Sequence, residues 1–214
     1  MNSIIYLSPH YDDAVLSCGG LIRRQARDSS VKVMTVFGAP RNDRTVEDAA
    51  ALRFLRVAQG IGYRREALYR PGFDPTTVLG NTLDQEGLEH CLGLPDQLEF
   101  ESLLGHTIYC PLAIGGHIDH ILVRRRAALL SLDVRYWEDL PYGFDRPVDP
   151  WVRGLTSELI PISPDSQDFD VWMGACDLYS SQITPMFGDA QTMRDQYRNY
   201  LTTTGGIRIW RKTQ

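Results

Sequence analysis

The sequence predicts an α/β fold: a mostly parallel central sheet with helices on both faces, followed by a small C-terminal extension of helices and a strand. Three observations carry this. Short β-rich runs alternate with helical patterns through the first two thirds of the chain. The first run, "IIYL", is continuously apolar, as a strand buried on both faces requires. Beyond "PYGFDRPVDP" the alternation gives way to helical segments and one last β run.

In order, "IIYLS" (Ile4 to Ser8) reads as a buried strand and Asp12 to Arg27 as a helix, with Arg23, Arg24 and Arg27 at its end, where the macrodipole favours cations. Gly19 and Gly20 inside that helix cost about 1 kcal/mol each relative to alanine, which close approach of the helix to the sheet would justify. "VKVMTVFG" is the second strand. A helix follows, with Thr45 as its expected N-cap, Glu47 and Asp48 in its first turn and Gly60 at its close. "EALYR" (Glu66 to Arg70) is the expected third strand. Residues 71–104 hold Gly, Pro, Asp and Thr clusters with room for two short helices. "HTIYCPL" (His106 to Leu112) is a strand, "HIDHILVRRRAALLSL" a helix and "VRYWEDL" a fifth strand. One or two helices fall around Gln167 to Gln182 and Gln191 to Leu201, and "GIRIWRK" ends the chain as a strand.

The 214 residues suit one domain, 1–214. Hydrophobic content of 43% and a mean hydropathy of -0.25 describe a soluble globular chain with an adequate core. A net charge of -5 argues against nucleic-acid or anionic-membrane binding, and the Arg124 to Arg126 cluster reads as a solvated helical face. No apolar run is long enough to span a membrane, and the N-terminus lacks a basic leader and cleavage site. Four cysteines (Cys18, Cys91, Cys110, Cys176) without a C-x-x-C pair read as reduced core thiols, so the expected location is cytoplasmic. Composition leaves the oligomeric state open and is compatible with a homo-oligomer.

The chemistry concentrates in two motifs. "PHYDD" places His10, Asp12 and Asp13 directly after the first strand, and "HIDH" places His117, Asp119 and His120 after the "HTIYCPL" strand. Crowded carboxylates and imidazoles destabilise a fold unless a positive charge sits among them. In a parallel sheet both motifs lie beyond carboxyl ends of strands, where sites form. If the two strands are neighbours, three of the five histidines meet three aspartates at one rim. Residues three apart on a first helical turn share a face, so His10 with Asp13 can grip one ion; His117 and His120 have the same separation. Two histidines and a carboxylate with an open position suit a catalytic zinc, and iron(II) accepts the same donors.

"PHYDD" continued by "AVLSCGG", with "HIDH" downstream, resembles the PIG-L/LmbE-like zinc-dependent deacetylases, whose signatures read P/A-H-P-D-D before a Gly-Gly, then H-P-D-H. Looser matches are Arg44 with Glu47, "YWEDLPY" and "YSSQ", so the resemblance spans most of the chain. It implies a Rossmann-like three-layer fold and hydrolysis of N-acetylglucosamine conjugates or related amides. It implies zinc held by His10, Asp13 and His120, Asp12 as general base, and His117 stabilising the oxyanion. Asp119 then orients a histidine from behind. The departures are Tyr11 and Ile118 in place of prolines, and Gly115 and Gly116 where some relatives carry a large aromatic.

Arg44 with Glu47 also reads as an ordinary surface pair, while Arg44, Tyr11, Asp74 and Tyr142 are candidate substrate contacts. Asp74 and Asp96 compete for a pocket acid, and Arg41 falls in a stretch expected to build the pocket. Tyr142, Trp151, Trp172 and Gln182 fit packing as well as a pocket wall. The expected partner is a small N-acylated molecule, an amino sugar or glycoconjugate. The alternatives are an amidase acting on a non-sugar or thiol-conjugate amide, and a non-catalytic metal-containing sugar-binding protein, which would have no use for Asp12. Dinucleotide binding is disfavoured, because no G-x-G-x-x-G follows the first strand.

Overall fold

The apolar run "IIYL" becomes the hub of the sheet. In the computed structural model, which describes residues 3–40, 42–82, 103, 105–129 and 133–213, it lies in β1 (Ser3–Ser8). Successive side chains point to opposite faces. Ile4 and Tyr6 therefore enter one core, and Ile5 and Leu7 another on the far side. The remaining strands are β2 (Ser30–Thr35), β3 (Ala58–Ile61), β4 (Thr107–Pro111), β5 (Val134–Trp137), β6 (Leu155–Pro161) and β7 (Gly206–Lys212). Their order across the sheet is β3-β2-β1-β4-β5-β7-β6. The first five are parallel, and β7 runs antiparallel to both β5 and β6.

Six α-helices are described: α1 (Asp13–Gln25), α2 (Asp43–Leu55), α3 (Ile118–Leu129), α4 (Gln167–Cys176), α5 (Ser180–Phe187) and α6 (Ala190–Thr204). Side chains of α1, α2, α4, α5 and α6 fill the core on the Tyr6 face, and those of α3 fill the core on the Leu7 face. The arrangement is the expected mostly parallel, three-layer α/β fold. Its strand order reverses between β1 and β4, which are direct neighbours with Ile4 beside Thr107 and Tyr6 beside Tyr109. A crevice opens beyond the carboxyl ends of two strands at such a reversal.

Several expectations are corrected. The third strand is β3, so Gly60 lies within a strand, and α2 ends earlier at Arg56 in the left-handed conformation (φ 63°). Residues 67–69 form a 3₁₀ turn instead of a strand, because the Ala67 N–H is taken by the Asp119 carboxylate and not by a neighbouring strand. Asn42, not Thr45, caps α2; Thr45 returns the bond by accepting from the Asn42 N–H at 3.1 Å. The C-terminal part has three helices and an unanticipated strand, β6, whose mostly exposed "LTSELIP" gives no buried apolar pattern.

Gly19 and Gly20 do permit a close approach, but to another helix instead of the sheet. A Cβ on Gly19 would stand 2.3 Å from Trp172 Cδ1 of α4, and one on Gly20 3.2 Å from the same ring. Arg124 is not on a solvated face: it is buried, donates to the carbonyls of Leu112 and Trp151, and lies over the Tyr136 ring. Cys18, Cys110 and Cys176 are buried free thiols, whereas Cys91 lies outside the described residues. Among the described residues no helix is long and apolar enough to cross a membrane.

Candidate active site

The turn after β1 is shaped by Ser8, whose hydroxyl donates to the His10 carbonyl at 2.6 Å and accepts from the Ala14 N–H at 3.0 Å. This starts α1 with His10, Asp12 and Asp13 at the rim. Asp13 does not cap the helix; its Oδ2 turns back to accept from the His10 N–H at 2.7 Å. Across the β1/β4 reversal, α3 begins at Ile118 and brings His117 and His120 to the same rim. The ring centroids of His10 and His120 are 5.4 Å apart, and His117 lies 4.8 Å and 5.0 Å from them.

Each of two imidazoles is held at both nitrogens. His10 Nδ1 is 3.0 Å from Asp13 Oδ2, and its Nε2 is 3.0 Å from Asp119 Oδ2. His120 Nε2 is 3.2 Å from the same Asp13 oxygen, and its Nδ1 is 2.6 Å from Asp139 Oδ1. One nitrogen of each ring thus converges on a single carboxylate oxygen, while the other is anchored by a buried acid. This is the arrangement of metal-ligating histidines, whose outer carboxylates fix the tautomer. The donor atoms of His10, Asp13 and His120 lie within 4.8 Å of one another, so these residues could hold a divalent ion. His10, His117 and Asp119 satisfy the same criterion. Asp119, however, is fully buried and already accepts from the Ala67 N–H and Arg70 besides His10, which favours the first trio.

The charges follow the geometry. Burial disfavours a charged His120, but Asp13 and Asp139 outweigh it and hold its pKa at about 9. His10 is likewise raised against burial by Asp13 and Asp119. Asp13 is lowered because His120 and His10 outweigh its burial, and Asp119 falls to about 2 chiefly through His10 and Arg70. His117 goes the other way: burial, then the charges of His10 and His120, push it down to about 2. It is therefore a neutral imidazole. Its Nδ1 accepts from the Asp119 N–H at 3.2 Å, which leaves the ring proton on Nε2.

Asp12 is buried beside the trio, with Oδ1 accepting from Arg44 Nη2 at 3.0 Å. Arg44 also reaches Glu66 at 3.0 Å, and these two carboxylates raise its pKa against its burial. Glu47 is not its partner; it accepts from Ser180 and Ser181 at the start of α5. A cavity of about 360 Å³ is walled by His10, Asp12, Asp13, His117 and His120, with Arg44, Tyr142 and Gln182 among its other sides. Leu68, Val78, Leu79 and Met186 give it an apolar margin.

Gly115 and Gly116 have a local reason. The Gly80 and Asn81 N–H groups donate to their carbonyls at 3.1 Å, and a Cβ on Gly116 would stand 2.4 Å from the Asn81 carbonyl oxygen. A Cβ on Gly115 would meet the Tyr142 ring at 3.3 Å. The Tyr142 ring, from the loop after β5, occupies the space beside Gly115, with its centroid 6.3 Å from that of the His120 ring. Burial, with Asp13 and Asp12 nearby, pushes the Tyr142 hydroxyl up to about 12.

Two candidate substrate contacts are not among the described walls of the cavity. Tyr11 is buried away from the cavity wall, donating to the Gly38 carbonyl at 2.6 Å. Asp74 is exposed and caps the short turn at Pro75–Thr77 by accepting from the Thr76 N–H at 2.9 Å. Arg41 and Asp96 lie outside the described residues. Trp172 packs in the core on the Tyr6 face and Trp151 against the core on the Leu7 face, whereas Gln182 lines the cavity. Asp139, Glu66 and Arg70 went unassigned in the sequence. Asp139 had a legible signal, an acid just past a strand's carboxyl end; Glu66 and Arg70 had none, since a turn carries them in.

No family model matches the chain. The 2'-N-acetylparomamine deacetylase of Streptomyces fradiae is 31% identical over 169 residues, 66% of this chain and 58% of that protein. The chain thus spans less than two thirds of this curated relative's length. Among solved structures, a deacetylase triple mutant of the teicoplanin biosynthetic pathway matches with a TM-score of 0.74 at 24% identity, over 99% of this chain and 97% of that one. The A40926 pseudoaglycone deacetylase matches at 0.70 and 23%, over 98% and 96%. A 4-carboxy-2-hydroxymuconate hydratase from a Pseudomonas matches at 0.61 and 13%, over 100% and 97%, so the fold alone does not settle the reaction. The likeness to these solved structures covers nearly the whole chain and shows a shared α/β fold.

Proposed function

We propose, from a chain with the motifs and fold of the PIG-L/LmbE-like deacetylases, that this protein hydrolyses the amide of an N-acylated amino sugar or its conjugate. The observation that supports this best is the doubly anchored pair of imidazoles converging on Asp13, with Asp12 beside them in an open cavity. The similar proteins act, by their names, on 2'-N-acetylparomamine and the A40926 pseudoaglycone, which favours a sugar-bearing natural product as substrate.

His10, Asp13 and His120 would hold a divalent cation. The donor set suits zinc, and iron(II) accepts the same donors; the zinc-inhibited form of the teicoplanin deacetylase supports a divalent ion in such a site. When bound, such an ion polarises a carbonyl and lowers the pKa of water from about 15.7 towards about 7. Asp12, with Oδ1 held by Arg44, has Oδ2 left to accept the proton of the attacking water. His117, neutral and carrying its proton on Nε2, donates to the carbonyl oxygen as negative charge develops there. Such a donor contributes a factor of about 100 to 1,000 in rate. Asp12 then returns its proton to the leaving nitrogen as the C–N bond breaks, giving a free amine and a carboxylic acid that ionises in water. Asp119 and Asp139 hold the two imidazoles in register throughout.

The test is acetate release from a panel of N-acetylated sugars and aminoglycosides, with metal content measured on the same samples. Asp12→Ala should retain the metal and lose at least about 100-fold in turnover; unchanged turnover would refute its role as base. His120→Ala should empty the site, and full occupancy in that variant counts against the ligand set. A metal-loaded wild-type protein that binds these sugars but releases no acetate would be a sugar-binding protein instead.

A further inference from the structure

Glu66 to Arg70, the run "EALYR", passes beside the site and serves both of its sides. Glu66 accepts from Arg44, which donates to Asp12. Leu68 reaches the margin of the cavity. The Ala67 N–H donates to Asp119 Oδ2 at 2.9 Å, and Arg70 Nη2 donates to Asp119 Oδ1. Asp119 in turn holds His10 Nε2 at 3.0 Å. One short turn of chain thus touches both the partner of Asp12 and the anchor of an imidazole.

Arg70 is fixed more closely than an ordinary surface cation. Its side chain is 12% exposed. Nε donates to the Arg65 carbonyl at 3.0 Å, and the guanidinium lies 4.8 Å from the centroid of the Phe37 ring. Phe37 is itself tied to the turn after β1, its N–H donating to the Pro9 carbonyl at 2.9 Å, and its ring is 6.3 Å from that of His10. These two contacts aim the guanidinium fork at Asp119 Oδ1. Nη1 is left buried with no hydrogen-bond partner among the described residues. Leaving it so is unfavourable, so stability alone does not account for the burial of Arg70. A carboxylate can turn about its Cβ–Cγ bond unless both oxygens are held. Arg70 holds the oxygen that His10 does not use. If Asp119 turned, His10 would lose the anchor that faces its Nδ1 to Asp13.

We propose that Arg70 is a positioning residue: by holding Asp119 it keeps His10 Nδ1 turned to Asp13, and so sets how tightly the site takes a divalent ion. The inference rests on His10, Asp13 and His120 being the ligand set, and not on the reaction. The test is zinc competition against a chromophoric chelator, with the folded fraction of each variant followed by circular dichroism. Arg70→Met should bind zinc about tenfold more weakly than wild type, the lower end of the range for partners behind a ligating histidine. Arg70→Lys, which keeps a charged donor, should recover most of that loss. Asp119→Asn should also weaken binding. Adding Arg70→Met to it should change affinity by less than about twofold, because a residue that acts through Asp119 then has nothing further to remove. A residue that merely supports the fold would give additive losses and no rescue by lysine. Should Arg70→Met not fold, Arg70→Gln, which keeps a donor without the charge, takes its place in the cycle. Wild-type affinity in the folded Arg70 variants, with a loss in Asp119→Asn, overturns the role of Arg70 and leaves the ligand set standing. Additive losses in the double variant overturn it as well. Full zinc affinity in His10→Ala overturns the ligand set and this proposal with it. Acetate release plays no part in the readout, so a failure of the hydrolase reading is separate.

Discussion

Replacing Asp139 by asparagine tests the anchoring of the imidazoles proposed to hold the metal most sharply, because the change is one atom in a fully described environment. Asp139 is buried, with Oδ1 2.6 Å from His120 Nδ1 and Oδ2 accepting from the Ile114 N–H at 2.9 Å. A carboxylate accepts from both donors. A carboxamide has one acceptor oxygen, so its NH₂ must face one of them. If the oxygen stays with Ile114, His120 Nδ1 has to become an acceptor and its proton moves to Nε2, the nitrogen aimed at Asp13. If the oxygen stays with His120, a buried backbone N–H loses its partner, at about 1–3 kcal/mol. Losing the outer carboxylate behind a ligating histidine costs about 10- to 100-fold in metal affinity, about 1.4 to 2.7 kcal/mol. The assay is zinc competition against a chromophoric chelator, run on wild type, Asp139→Asn and Asp133→Asn, whose carboxylate is about half exposed and paired with Arg135. The control should match wild type. A folded Asp139→Asn protein that binds zinc as tightly as wild type would refute the reasoning.

Other outcomes are equally specific. Gly19→Ala should destabilise the chain by about 1–3 kcal/mol in urea unfolding despite alanine's better helix propensity, since its Cβ would overlap a buried Trp172 ring that also donates to the Val15 carbonyl at 2.7 Å; a neutral or stabilising result means that α4 can retreat. Asp48 is buried on α2, and burial pushes its carboxyl up to about 7 even though Tyr179 and Gln59 donate to it. The folded chain therefore holds a proton that the unfolded chain has lost between about pH 4 and pH 7, and stability falls as pH rises through that window, by up to about 1.4 kcal/mol per unit. Asp48→Asn should remove this component of the slope in urea midpoints measured across the range, because Gln59 can turn its own amide to meet the new NH₂; an unchanged slope sinks the assignment.

The sequence alone determined the class of fold, the two motifs and their donors. Apolar runs buried on both faces read the same whatever packs on them, and three-residue spacing in a first helical turn is local geometry; both survive without knowledge of distant contacts. That is why β1, α1, β4 and α3 fall close to where their residues predict. Tertiary structure decided what depends on contacts far apart in the chain. β6 became a strand because β7 pairs with it, although its side chains are mostly exposed. Residues 67–69 became a turn because Asp119, some 50 positions away, captured a backbone N–H. Asp139 found His120, Arg44 found Asp12 instead of Glu47, and Tyr142 took the space left by Gly115, none of which follows from spacing. Hydrogen bonds and ring contacts of this kind are set by which loops meet at the strand reversal, and only the packed sheet brings them together.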